Sequence, residues 1–245
     1  MVLTAAFFSG CIRQTILPSD FPIEKTLSAI AAAVAETDTL SALVQIGLVI
    51  PGITYPAKAA LIIKKPSYLR LELLPPIGPP DFFLTATPEK MKILLPSAGN
   101  FYQGEPSARN LARFLRWQFN IEDIVAILTS TYPPLKESSA YSCRSDGNAV
   151  RIEIEAPSGN SLTIWVEANR LIRLVRRNDN RVELYNAIFE DYEEGSGLAR
   201  KVTVNMADGI TSLSIKYSDI KIEKSTDLSI FDLNIPAGFQ TILLD

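Results

Sequence analysis

The residues with the most chemical meaning stand near the start of the chain. Residues 7–12 read Phe-Phe-Ser-Gly-Cys-Ile. Signal peptidases need small residues just before the cut, and a thiol directly after the cut can carry a thioether-linked lipid. The pattern is that of a bacterial lipoprotein processing site, with Cys11 as the acylated first residue of the mature protein. Met1 to Phe8 carries no Lys or Arg and lies at the short end of the ~7–15 apolar residues of a secretory signal. The expectation is therefore a start codon upstream of Met1. The alternative is an apolar N-terminus that is never processed.

Other chemistries are poorly served. The 245 residues include no histidine, which removes Ser-His-Asp and Cys-His nucleophilic catalysis and most zinc sites. The second of the two cysteines, Cys143, has no partner once Cys11 is lipidated, and reads as a buried apolar thiol. No Gly-rich phosphate loop, nucleophile elbow or metal-spaced pair is present. Glu190, Asp191, Glu193 and Glu194 lack the turn glycine and alternating ligands of a calcium loop and read as a solvated turn, so no metal and no catalytic residue is expected. A net charge of -3 without a basic block argues against nucleic acid. Arg109, Arg113 and Arg116 share a helix face. They either meet anionic headgroups, at roughly 1 kcal/mol each, or form an ordinary solvated face. No stretch approaches the roughly 20 apolar residues that span a bilayer.

These residues need a scaffold, and the hydrophobic period supplies its outline. Ile23, Leu27, Ile30 and Val34 recur at helical spacing behind Pro22, and Asp38-Thr39 reads as the exit of that helix. Strands follow over Leu43–Ile50, Ala57–Lys64 and Tyr68–Leu73, the last a strict alternation with Leu69, Leu71 and Leu73 on one side. After the stiff loop Pro75-Pro76-Ile77-Gly78-Pro79-Pro80 come strands over Asp81–Thr87, Lys90–Leu95 and Phe101–Gln103. Two helices interrupt the series. One carries Leu111, Phe114 and Leu115, and the other is capped by Asn120 with Asp123 three residues on. From Ala140 the chain reads as hairpin after hairpin, with turns at Asp146-Gly147, Ser158-Gly159, Asn178-Asp179-Asn180 and Asp208-Gly209. About ten strands joined by tight turns form an antiparallel meander, and twist curls it into a barrel or a half-open one.

In combination these features resemble the LolA/LolB family of lipoprotein carriers, and its LolB-like outer-membrane branch in particular. The resemblance rests on Ser9-Gly10-Cys11, on the amphipathic helix Ile23 to Val34 ahead of the sheet, and on Leu69 to Gly78, which is similar to a family strand ending in Pro-Leu-Gly with Ile77 in the Leu place. It also rests on Phe231-Asp232-Leu233-Asn234-Ile235-Pro236-Ala237-Gly238, similar to a terminal Phe-x-Leu-x-x-Pro-x-Gly. It implies a mainly β fold with α: a curled antiparallel half-barrel with helices covering its open, concave side. Residues 1–20 would be signal remnant, lipidation site and tether, and 21–245 a single half-barrel domain.

The resemblance further implies a non-enzymatic, monomeric lipoprotein anchored on the periplasmic face of the outer membrane by covalent lipid on Cys11, with no cofactor. Ile12 in place of Asp implies outer-membrane sorting. The partners would be acylated lipoproteins, a periplasmic LolA-like carrier and outer-membrane lipid. The acyl chains would lie between the helices, at Ile30, Val34, Leu111 and Phe114, and the strand faces of Leu69, Leu71, Leu73, Met91, Ile93, Ile152, Ile154 and Ile164. Sequence alone leaves open whether each of these lines a cavity or fills a core. Pro76, Ile77 and Gly78 would form a membrane-insertion loop. The fixed φ of the flanking prolines makes its tip project, against the alternative of Ile77 packing on a neighbouring strand. A sensing or assembly lipoprotein on the same half-barrel is the second functional reading.

Overall fold

The structure, a computed structural model, describes residues 21–115, 119–135, 140–225 and 227–245. Cys11, Ile12, the tether to Asp20 and Arg116 lie outside the described residues. Among the described residues, fourteen strands form one sheet whose two edges do not meet. The first meander runs β1 (Asp38–Ile50), β2 (Ile53–Lys64), β3 (Tyr68–Leu74), β4 (Phe82–Ala86), β5 (Met91–Leu95) and β6 (Asn100–Gly104). The second runs β7 (Ala140–Asp146), β8 (Ala149–Glu155), β9 (Ser161–Glu167), β10 (Arg170–Arg177), β11 (Glu183–Tyr192), β12 (Ala199–Met206) and β13 (Ser212–Lys224).

The two meanders are joined by their longest strands. β1 and β13 pair antiparallel from Asp38↔Lys224 to Val49↔Ser212. A final short strand, β14 (Gln240–Leu243), adds parallel to β6. The pairing shifts register between Ser41 and Leu43, between Leu171 and Arg173 and between Arg176 and Arg177. Such irregularities raise local twist and help an open sheet to curl.

Three helices cover the concave face: α1 (Ile23–Ala31), α2 (Ala108–Leu115) and α3 (Ile121–Leu128). Helix α1 buries Leu27 and Ile30 in the main core. It ends at Ala31, short of the expected Val34, which is buried from the turn that follows. Asp38 and Thr39, expected as the helix exit, instead begin β1.

Helix α3 is fastened to the sheet by polar contacts. Tyr217 Oη donates to the Leu128 carbonyl at 2.8 Å, and the Ala199 amide donates to Ser130 Oγ at 2.8 Å. Helix α2 sits against the core through Leu111 and through Phe114, whose ring meets Tyr102 edge-on at 5.0 Å. The other face of β3–β6 is covered by the segment before β14. There Leu233 joins Leu94 and Phe101 in a second small core. Arg70 Nη1 donates to the Ile230 carbonyl at 2.8 Å, and the Phe231 ring meets Tyr68 at 5.3 Å, tilted by 51°. Phe231 and Leu233 of the C-terminal motif thus have a packing role.

The expected cap of α3 is not made. Asn120 takes the N-cap place without a side-chain bond, and Asp123 is buried. Burial pushes the Asp123 carboxyl up, with the Arg176 guanidinium opposing the shift. A carboxyl raised on folding holds a proton that the unfolded chain has already released. Its contribution to stability is therefore full at acid pH and falls as pH climbs from the ordinary carboxylate range through the raised value. Chemical unfolding across that window should show this slope in the wild type and a flatter profile in Asp123→Asn.

Candidate functional site

Between the concave face and helices α2 and α3 lies a cavity of about 300 Å³. Strand alternation builds one wall. Val44, Ile46 and Leu48 on β1 point in, and so do Leu69, Leu71 and Leu73 on β3. Registers Ile46↔Ile215 and Leu48↔Leu213 place the β13 side chains beside them. Tyr55, Leu61 and Phe82 extend this wall, while Phe114, Phe119 and Ile124 come from the helical side. Every lining side chain is apolar apart from the hydroxyl of Tyr55. Tyr55 supplies the one hydroxyl of this lining, with no second polar side chain beside it to form a catalytic pair or a metal site. What this arrangement does well is shelter hydrocarbon from water.

The structure separates the expected cavity residues into two groups. Leu69, Leu71, Leu73 and Phe114 line the space. Ile30, Val34, Met91, Ile93, Leu111, Ile152, Ile154 and Ile164 do not. They are buried in the main core. Sequence reasoning missed Val44, Ile46, Leu48, Tyr55, Phe82, Phe119 and Leu213. For Val44-Ile46-Leu48 the signal was present in the apolar strand at Leu43–Ile50, but which strands face the gap depends on the β1–β13 pairing.

Ile77 stands at the tip of the 75–81 loop, 93% exposed, and does not pack on a neighbouring strand. Gly78 has φ 93°, a left-handed conformation open to glycine that lets the chain reverse between two proline pairs. The loop rises directly from the cavity wall: Leu73 and Phe82, which pair at its base, both line the cavity.

Other singled-out residues have ordinary partners. Glu190 pairs with Lys201 at 2.8 Å and Glu193 with Arg200 at 2.5 Å. Arg109 and Arg113 are exposed on α2. Cys143 is half-buried on the edge strand β7 rather than fully buried. Among the described residues, no group of three or more potential metal ligands is found, and no helix is long and apolar enough to cross a membrane.

No family model matches the chain, and no curated protein matches it. Solved structures do. An outer membrane lipoprotein-sorting protein domain from Vibrio parahaemolyticus superposes with a TM-score of 0.61 at 14% identity, covering 85% of this chain and 95% of that one. A LolA superfamily protein from Nitrosomonas europaea gives 0.62 at 14% identity, covering 86% and 97%. The chain shares their fold. A DUF1329 family protein from Desulfovibrio piger has it as well, with a TM-score of 0.63 at 14% identity over 86% of this chain and 97% of that one.

Proposed function

We propose that this protein is a non-enzymatic envelope lipoprotein that holds the acyl chains of other lipoproteins in its cavity and delivers them to the outer membrane. The observation that carries this reading is the cavity, apolar but for one tyrosine hydroxyl, beside a hairpin whose aliphatic tip stands free in solvent. A fold shared with a lipoprotein-sorting domain and a LolA superfamily protein supports it. In this reading lipid on Cys11 anchors the protein to the outer membrane, a periplasmic LolA-like carrier hands over the cargo, and the bilayer receives it. A sensing or assembly lipoprotein would have the concave space filled by side chains, so the open cavity favours the carrier.

The size of the cavity sets the strength of binding. About 300 Å³ holds roughly ten methylene-sized units, taking each as comparable to a water molecule at ~30 Å³. Burying ten methylenes is worth about 8 kcal/mol gross, and association and chain-ordering costs offset part of that. Net affinity in the micromolar range or weaker suits a site that must release what it binds.

An environment-sensitive fluorescent fatty acid should brighten on binding and be displaced by a lipoprotein's acylated peptide. Leu71 is only half-buried and lines the cavity, so Leu71→Glu places a charge there with limited damage to the core. The variant should lose binding at least tenfold, because an unpaired carboxylate in an apolar space is costly. A wild-type protein that binds no acyl probe would overturn the carrier reading.

A further inference from the structure

The strand register places several turns at one end of the sheet. Val49 pairs with Ser212, Ser212 with Asn205, Asn205 with Asn186 and Asn186 with Val175, forming a single row. Beyond that row lie the turns 51–52, 207–211 and 178–182. The 75–81 loop lies at the same end, because β3 runs antiparallel to β2. In sheet order these are four consecutive hairpins: β4–β3, β2–β1, β13–β12 and β11–β10.

Each of the four carries an exposed aliphatic side chain. They are Ile77 at 93%, Ile53 at 46%, Ile210 at 59% and Val182 at 56%. The flanking turns at this end, 96–99 and 156–160, carry no exposed large hydrophobic side chain. Nor do the turns at the opposite end, 65–67, 87–90, 147–148, 168–169 and 193–198. Among these turns the apolar run is thus bounded on both sides; elsewhere Ile222, Leu228 and Leu243 are exposed singly, on strands or in the segment after β13. The end that carries the four tips is also the end the cavity reaches, since Tyr55, Leu73 and Phe82 line the cavity within a few residues of these tips.

The geometry points to this row of four hairpin tips as a docking edge for a phospholipid bilayer, with Ile53, Ile210 and Val182 entering the membrane interface beside Ile77. The inference deepens the carrier reading and rests on it for what the cavity mouth does there. A protein interface presents a continuous packed core with aromatic and Arg anchors. Here the apolar side chains stand on separate prongs with polar turn residues between them, a form that fits a fluid surface. Tyr55, 43% exposed one step behind the tips, has the amphipathic ring that settles at headgroup level.

The electrostatics decide what kind of membrane attraction this is. The four turns contain the carboxylates Asp81, Asp179 and Asp208 and one cation, Arg181. Asp81 accepts from the Ser97 amide, and Asp208 accepts from the Ile210 and Thr211 amides. One guanidinium offers little to an anionic surface, so docking is by apolar insertion and does not depend on lipid charge.

The test uses the full chain carrying Cys11→Ser, so that no covalent lipid contributes, and flotation with vesicles of pure phosphatidylcholine or of phosphatidylcholine with phosphatidylglycerol. The protein should float with both, at low and high salt. Val182→Ser with Ile210→Ser, far from Ile77 and outside the cavity, should weaken flotation by about tenfold or more and leave melting and fluorescent fatty-acid binding unchanged. Flotation equal to that of the unsubstituted tips, flotation only with anionic vesicles and lost in salt, or no flotation at all would each overturn the docking edge. Loss of vesicle binding by the double variant in a protein that binds no fatty acid would uphold the edge and sink the carrier.

Discussion

Ile77→Glu should remain folded, bind fluorescent fatty acid as the wild type does, and fail to pass an acylated cargo to liposomes. Ile77 contacts nothing that the fold needs, since its side chain is almost wholly in water, so melting should not move. Full burial of an isoleucine in lipid is worth about 1.5–3 kcal/mol, and a carboxylate in its place adds a penalty. Because each 1.4 kcal/mol is a factor of about ten, transfer should slow by at least tenfold. A stopped-flow assay following a lipoprotein's acylated peptide from protein to vesicle separates this from weakened binding. Normal transfer by a folded Ile77→Glu would show that the loop is not the delivery element.

Cys11→Ser carries the other large expected effect, and it is all or none. Cells given a palmitate analogue should label the wild type and leave the variant unlabelled. The variant should also wash off the membrane fraction far more readily than the wild type. Each acyl chain adds about 0.8 kcal/mol per buried methylene, more than a few hairpin tips can supply, so the docking edge alone gives a reversible attachment where the lipid gives a lasting one. Equal labelling of both proteins, or unprocessed protein in the cytoplasm, would exclude the anchor.

The local part of this fold was legible in the sequence, and the long-range part was not. Period-two alternation placed Leu69, Leu71 and Leu73 on one side of a strand, and they do share the cavity wall. The proline pairs around Ile77 foretold a projecting tip, because fixed φ angles act within the loop itself. Asn120 with Asp123 suggested a cap, but Asp123, in the first turn of α3, is buried and Asn120 makes no side-chain cap bond. The pairings β1–β13 and β14–β6 join residues more than a hundred positions apart, and no local pattern encodes them. They also decide which inward side chains meet a partner and which meet a void. That is why the sequence could read Ile152, Ile154 and Ile164 as inward-facing but left core and cavity wall open for them, while Val44 and Leu213 went unrecognised as cavity wall.

The unequal attachment of the two helices over the cavity has a consequence for how quickly the site fills. Helix α3 is held by Tyr217 to the Leu128 carbonyl and, just past its end, by Ser130 to the Ala199 amide. Breaking either bond would strand a buried polar group, at about 1–3 kcal/mol. Helix α2 is tied at its start, where the buried Asn110 Nδ2 donates to the Glu105 carbonyl at 3.1 Å, while its last turn packs through Phe114 against Tyr102, and packing of that kind can slide without leaving an orphaned donor. A ligand longer than the resting space should therefore enter by displacing the last turn of α2 while α3 keeps its place, like a door with one fixed jamb. Entry and exit rates would then be tunable at Tyr102, which does not line the cavity, with little change in the depth of the resting well.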